Sequence, residues 1–208
     1  MDTSVTDHLL TTTRAVRRRL DLERPVPPEL ILDCLRLAIQ APSGSNAQGW
    51  RWLIVTDPDK KAALARIYDE AGGDYLRSNA GASGTQGRVH SSAAYLVEVL
   101  HRVPAMVIPC IEGRVEGASN GRAASFYGSI LPAVWSFQLA LRSRGLGSAW
   151  TSLHLMKEQE AADLLGIPGD VTQVALLPVA YTIGDDFKPA ERRPIDEITY
   201  WETWGERR

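Results

Sequence analysis

The sequence predicts an α+β fold in a single domain that covers residues 1–208. Segments with helical spacing of apolar residues alternate with a few short apolar runs of strand length. No internal repeat or shift in composition divides the 208 residues. A chain of this length can bury one full hydrophobic core. We therefore expect helices packed around one small sheet.

The individual elements are predicted from spacing and from residues that stop helices or form turns. Helical spacing covers residues 5–13, 29–39, 59–68, 91–100, 125–144 and 158–165. Strand-like runs cover residues 50–55, 103–111, 148–154 and 171–183. Glycines at 71–74 and 79–87 are too dense for a packed element, so residues 81–87 are predicted to be a mobile loop.

Composition excludes several classes of function. The 23 Lys and Arg nearly balance 25 Asp and Glu, and a net charge of -2 gives no nucleic-acid footprint. No apolar run is long enough for a membrane span, and the N-terminus does not resemble a signal peptide. Cys34 and Cys110 lie in apolar segments without the spacing of a metal site or a disulfide framework. We expect a cytoplasmic protein with small-molecule partners and no metal.

A polar loop joins the second predicted helix to the first strand. It offers small hydroxyls, amide side chains and open backbone at Ser43, Gly44, Ser45, Asn46 and Gln48. A flat polar heterocycle needs several donors and acceptors at its edge and a close backbone at its face, which such a loop supplies. An ordinary solvated connection uses the same residue types as turn formers. Composition alone leaves both interpretations open.

A basic run at residues 13–19 is the second candidate binding element. It contains Arg14, Arg17, Arg18 and Arg19, and arginine presents planar paired donors that suit a phosphate. A solvated basic turn paired with Asp21 and Glu23 is the alternative, and the residues alone favour it.

Residues 125–144 carry apolar side chains on too many helical faces for a surface helix. A central core helix and a dimer-interface helix both satisfy this pattern. Two interpretations are also open for the aromatic tail formed by Tyr200, Trp201 and Trp204. It either wraps over a partner subunit or is buried in the core of its own chain.

The segment Ala41-Pro42-Ser43-x-x-Asn46-x-Gln48-x-Trp50, after a helix and before an apolar strand, resembles the signature of the nitroreductase family. Members of this family are FMN-dependent α+β homodimers with a mostly antiparallel central sheet flanked by helices, and their subunits are intertwined. The resemblance implies that this loop approaches the flavin. Gly49 stands where the family usually has proline.

The resemblance also assigns roles to three weaker segments. The basic run matches a family pattern that holds the FMN phosphate, although Thr13 and Ala15 replace an arginine and a serine. Residues 151–153 match a segment that passes the flavin ring, and Arg192, with Arg193 as its fallback, matches a late arginine that closes on the phosphate. The implied FMN-binding set is Arg14, Ala15, Arg17, Arg18, Pro42, Ser43, Gly44, Ser45, Asn46, Gln48, Thr151, Ser152, Leu153, Arg192 and Arg193.

The resemblance therefore implies an oxidoreductase in which NADH or NADPH donates hydride to flavin N5. The donor then leaves, and an electron-poor acceptor such as a nitroaromatic or a quinone takes its place in a ping-pong cycle. The cofactor carries the chemistry, so no catalytic side chain is required. Residues 81–87 are hypothesised to form a lid over the flavin, and helix 125–144 to lie in the homodimer interface. A non-catalytic flavin-binding sensor and an enzyme with a deazaflavin donor remain alternatives.

Overall fold

The structure is a computed structural model that describes residues 2–208. The helices are Thr3–Thr12 (α1), Pro28–Ala38 (α2), Pro58–Asn79 (α3), Gly84–Val99 (α4), Asn120–Gly128 (α5), Leu131–Arg142 (α6) and Glu158–Leu165 (α7). The strands are Trp50–Val55 (β1), Ala105–Glu112 (β2), Leu146–Ser148 (β3), Val171–Gln173 (β4) and Leu177–Tyr181 (β5).

The five strands form one antiparallel sheet with the order β1-β2-β5-β3, and β4 also pairs with β2. Strand β2 is the centre of this sheet and is buried along seven of its eight residues. Its side chains alternate between the two faces, as the pleat requires. Met106, Ile108 and Cys110 join one core cluster, while Val107 and Ile111 join the other. The predicted α+β fold is confirmed.

Helices cover both faces of the sheet. The first cluster includes buried side chains of α3, α4 and α7, such as Leu64, Leu96 and Ala161. The second includes those of α2 and α6, such as Ile31 and Phe137. The boundaries of α2 and β1 match the prediction within one residue, because the amphipathic spacing before Pro42 and the apolar run from Trp50 are unambiguous.

The prediction that a helix ends at residue 68 is wrong, because α3 continues through Gly72 and Gly73 to Asn79. Neighbouring side chains occupy the space that these glycines leave. A Cβ on Gly72 would lie 2.7 Å from Leu153 Cδ2, and a Cβ on Gly73 would meet the Asp69 carboxylate and the Arg77 guanidinium. Tertiary packing thus compensates for the low helix propensity of glycine.

The mobile loop predicted at residues 81–87 is also wrong for most of its length. Helix α4 already begins at Gly84, and the connection from α3 is only residues 80–83. Gly87 packs so closely on the chain that a Cβ there would lie 1.5 Å from the Ala82 carbonyl oxygen. The segment proposed as a loop-like lid is therefore the tip of a helical hairpin.

Two predicted elements are each divided in two. The apolar segment 125–144 consists of α5 and α6, which are separated at Ser129 and Ile130 before the first-turn Pro132. The run 171–183 consists of β4 and β5, which pair with different parts of β2. The strand predicted at 148–154 ends at Ser148 and leads to a 3-10 helix at Leu153–Lys157.

The aromatic tail lies on the surface of the chain. It follows a 3-10 turn at Ile195–Glu197, and Trp204 is 88% exposed. The alternative in which the tail is buried in its own core is therefore wrong. In residues 2–208 no helix has both the length and the apolar character needed to cross a membrane.

Candidate flavin site

The basic run follows the outer edge of the sheet at β3. The Val16 amide donates to the Ser148 carbonyl at 2.8 Å, and the Asp21 amide donates to the Tyr181 carbonyl at 2.8 Å. Leu20 forms a β-bridge with Thr182. These main-chain contacts fix the run, so its arginine side chains leave from a rigid backbone.

Arg17 is the arginine of this run that points into the protein. Its guanidinium donates from Nη1 to Ser92 Oγ at 3.4 Å, while its Nε is buried and has no partner. Burial lowers the pKa of Arg17, and only the neighbouring Tyr68 partly opposes this effect. A cavity of about 180 Å³ adjoins it, lined by residues 15–19, Ser92 and Phe187. A desolvated guanidinium with a free donor is a site that an anionic oxygen would complete.

The flanking arginines are more exposed and already engaged. Arg14 donates to the Lys188 carbonyl at 2.8 Å. Arg18 donates to Ser91 Oγ at 2.9 Å and lies 5.0 Å from the centre of the Tyr95 ring. Arg18 and Ala15 line the cavity, whereas Arg14 does not.

Residues 151–153 lie close to Arg17 because α3 contacts both. The Tyr68 ring is buried, and its phenol lies beside the side chains of Thr151 and Arg17. Thr151 is held just before β5 by a bridge to Leu176, and its hydroxyl donates to the Leu176 carbonyl at 2.7 Å. Ser152 is exposed, whereas Leu153 is half-buried against α3. The structure thus joins two of the predicted segments in one place.

The loop 42–48 has an unusual backbone. Ser45 and Asn46 both have φ of 52°, and Gln48 has φ of 51°, a region that costs non-glycine residues about 1–3 kcal/mol. Internal bonds hold this conformation: the Gln48 amide donates to Ser43 Oγ at 3.2 Å, and its side chain donates to Asn46 Oδ1 at 3.1 Å. The loop is also tied to α5 through the Gly44 amide, which donates to Ser129 Oγ at 2.9 Å. A strained, exposed and braced loop is typical of binding sites.

One chain does not bring the loop and the basic run together. The loop precedes β1, which is one edge of the sheet, whereas the basic run lies beside β3 at the opposite edge. Three strand spacings separate the two edges, which is roughly 14 Å. The two elements therefore lie at different edges of the sheet within one chain.

The late arginines are not in contact with the basic run. Arg192 is exposed and donates to the carbonyl of the adjacent Glu191 at 3.1 Å. Arg193 is also exposed. The C-terminal segment that carries these two arginines nevertheless begins at the cavity. There the Arg19 guanidinium lies 4.2 Å from the centre of the Phe187 ring, and the Lys188 carbonyl accepts from Arg14.

Sequence reasoning missed three residues of this region: Tyr68, Ser92 and Phe187. Each belongs to a different segment and reaches Arg17 or its cavity only through the fold. No spacing rule connects them to the basic run, so the sequence carries no signal for them. Within residues 2–208 no group of three or more His, Cys, Asp or Glu side chains is placed to hold a metal ion.

The comparisons of this chain with known proteins agree with one another. The model of the nitroreductase family matches residues 10–181. A 5,6-dimethylbenzimidazole synthase from Rhodospirillum rubrum is 28% identical over 180 residues, which cover 84% of this chain and 78% of that protein. An NADH dehydrogenase from Thermus thermophilus is 28% identical over 202 residues, covering 90% and 91%. A crystal structure of oxidised iodotyrosine deiodinase bound to FMN and 3-iodo-L-tyrosine superposes with a TM-score of 0.68 at 27% identity, covering 90% of this chain and 94% of that one.

Proposed function

Since this chain belongs to the nitroreductase family, we propose that it is an FMN-dependent oxidoreductase. In this proposal NADH or NADPH donates hydride, and an electron-poor nitroaromatic or quinone accepts it. The observation that carries the proposal is the half-buried Arg17 side chain, whose buried Nε has no partner, beside a cavity in the basic run. FMN supplies the two-electron chemistry when it is bound, and the protein supplies orientation and charge.

The residues present fit a phosphate at the basic run. Arg17 offers an unpaired donor from inside the protein, Ser92 Oγ lies beside it, and Arg18 lines the cavity. Residues 151–153 lie on the α3 side of the same place, where we expect them to run alongside the flavin ring. Arg192 and Arg193 would reach the phosphate only if the exposed tail moves over it.

We further propose a homodimer in which the loop 42–48 of one copy completes the site of the other. The opposite edges of the sheet separate the loop from the arginines within a chain. Large apolar side chains are exposed on α1, α2 and α6, and an interface is the usual reason for such a surface. They are Val5 and Leu10 of α1, Leu32 and Leu37 of α2, and Leu131 and Trp135 of α6.

The proposed cycle is ping-pong because donor and acceptor would use the same face of the ring in turn. The chain's own part is to hold the phosphate with arginines, to hold the ring edge with the amides of Asn46 and Gln48, and to exclude water. We place this chemistry in the cytoplasm, where both thiols stay reduced. Burial raises the pKa of Cys34 to about 11 and that of Cys110 to about 12, which keeps both unreactive.

The deciding experiment is a visible spectrum of the purified protein, followed by anaerobic mixing with NADH and with NADPH. We expect flavin bands that one of these donors bleaches and that a quinone then restores. A colourless protein that gains no flavin bands with added FMN would refute the proposal. Flavin that neither donor bleaches would favour a flavin-binding sensor or a deazaflavin donor.

Reductive dehalogenation of an iodinated phenol is a second candidate function. It is favoured by the match to the deiodinase structure, which spans 90% of this chain at 27% identity. Release of iodide from 3-iodotyrosine by the chemically reduced protein would support it. Re-oxidation by quinones together with no release of iodide would support the first candidate alone.

A further inference from the structure

We propose that one face of α3, formed by Tyr68 and Gly72, is a positioning surface that sets how closely residues 151–153 approach the bound flavin. This inference rests on the proposed FMN site. It concerns two residues that touch no part of the proposed ligand and act through Thr151 and Leu153.

The spacing of the two residues places them on one side of the helix. Positions i and i+4 lie one above the other on an α-helix, and each of these positions meets the same partner segment. The Tyr68 phenol lies beside Thr151, and Gly72 lies against Leu153, one turn later. Helix α3 therefore holds the segment at two points that flank the exposed Ser152.

The two points differ in what they fix. Tyr68 is 3% exposed and lies beside both Thr151 and Arg17. It therefore fixes the position of residues 151–153 relative to Arg17, the proposed phosphate ligand. Gly72 sets a distance, because a Cβ there would lie 2.7 Å from Leu153 Cδ2 and 3.5 Å from its Cγ. Real Cβ atoms essentially never come as close as 2.7 Å. A side chain at position 72 must therefore displace the side chain of Leu153.

The adjacent Gly73 provides a matched control. It lies in the same helix, and alanine there brings the same relief of a helix-disfavouring glycine. Its Cβ, however, would meet Asp69 and Arg77, which form an ion pair along the helix and are not contacts of Gly72. The pair Gly72→Ala and Gly73→Ala thus compares a new methyl group that displaces Leu153 with one in the same helix that meets Asp69 and Arg77 instead.

The experiment measures the FMN dissociation constant and the flavin midpoint potential of the full-length wild type and of both variants. For Gly72→Ala we expect a dissociation constant about fivefold to tenfold higher and a displaced midpoint potential. For Gly73→Ala we expect the wild-type values of both. Leu153→Val in the Gly72→Ala background removes the δ-carbons that the new Cβ meets, and it should return the potential toward that of Leu153→Val alone.

A wild type that binds FMN, with Gly72→Ala indistinguishable from Gly73→Ala in affinity and potential, would overturn this inference and leave the proposed function intact. A wild type that binds no FMN would overturn both. If Gly72→Ala does not yield folded protein, Tyr68→Phe carries the same test. Tyr181→Phe is its control, because Tyr181 packs under Arg24 at 3.4 Å and lies outside the proposed site. Equal potentials for these two tyrosine variants would again overturn the inference.

Discussion

Replacing Arg17 with methionine should separate the stability of the apo protein from its affinity for FMN. The guanidinium of Arg17 is largely withdrawn from water, its contact with Ser92 Oγ is long at 3.4 Å, and its Nε is buried without a partner. Desolvation accordingly lowers its pKa. A buried charge that lacks a compensating anion costs free energy, and an apolar side chain of similar length removes that cost.

The two expected effects have opposite signs. A phosphate oxygen on Arg17 would make at least one charge-assisted hydrogen bond, worth about 1.5–3 kcal/mol, so its loss raises the FMN dissociation constant roughly tenfold to hundredfold. The free energy of unfolding of the apo protein should stay the same or rise by about 1 kcal/mol. Denaturant unfolding of the apo protein measures the second quantity, and a fluorescence titration with FMN measures the first.

Arg14→Met is the matched control for Arg17→Met. Arg14 is exposed and already donates to the Lys188 carbonyl, so we expect a loss of FMN affinity below about tenfold. The reasoning would be refuted by an Arg17→Met protein whose apo form is destabilised while its FMN affinity is unchanged. That result would identify Arg17 as an ordinary structural residue.

Three further predictions concern other parts of the chain. His154 is fully buried with neither ring nitrogen bonded, and burial lowers its pKa to about 4, against the opposing charge of Glu158. Because the unfolded chain binds the proton more readily, the free energy of unfolding should be constant above pH 6.5 and fall between pH 6.5 and about 4. Denaturant unfolding of His154→Leu should show a smaller fall over this range. An equal fall in both proteins would contradict the role given to His154. Asn46→Gly keeps the left-handed backbone accessible and removes only the amide, so the flavin midpoint potential should move while apo stability changes little; an unchanged potential and affinity would exclude Asn46 from the flavin edge. Trp135→Glu places a charge on the exposed apolar surface of α6, so sedimentation should show a monomer with little bound FMN, and a monomer with full flavin content would contradict the shared site.

Sequence reasoning located the elements whose signal is local. The helix before Pro42, the strand from Trp50 and the buried strand β2 follow from side-chain spacing alone, and the structure contains all three. Helix α3 extends past Tyr68 because Leu153 and Arg77 occupy the space beside its glycines. The contact of Gly72 with Leu153 joins residues far apart in sequence, and helix propensity does not predict it.

The same distinction applies to the candidate site. The arginine run and the polar loop were recognisable because each is contiguous and has a distinctive composition. The sequence could not predict which arginine faces inward, because the run has four arginines within six residues and no local signal separates them. Burial against Tyr68 and Ser92 distinguishes Arg17 from the exposed Arg14 and Arg18. The order of strands in the sheet likewise has no local signal, so the separation of loop and run emerged only from the fold.

That separation gives the proposed site a specific dependence on assembly. With the loop at the β1 edge and the arginines near β3, two copies related by one two-fold axis can complete two identical sites at once, because each contact made by the first copy is returned by the second. A ligand that contacts both copies binds the dimer better than the monomer, and it shifts the association equilibrium by that difference in affinity. In the proposed dimer, the apparent FMN affinity consequently depends on protein concentration as well as on the residues at the site. Replacing a side chain in the interface, far from the phosphate, should therefore lower flavin content by weakening association, whereas replacing Arg17 should lower it by removing a contact with the phosphate.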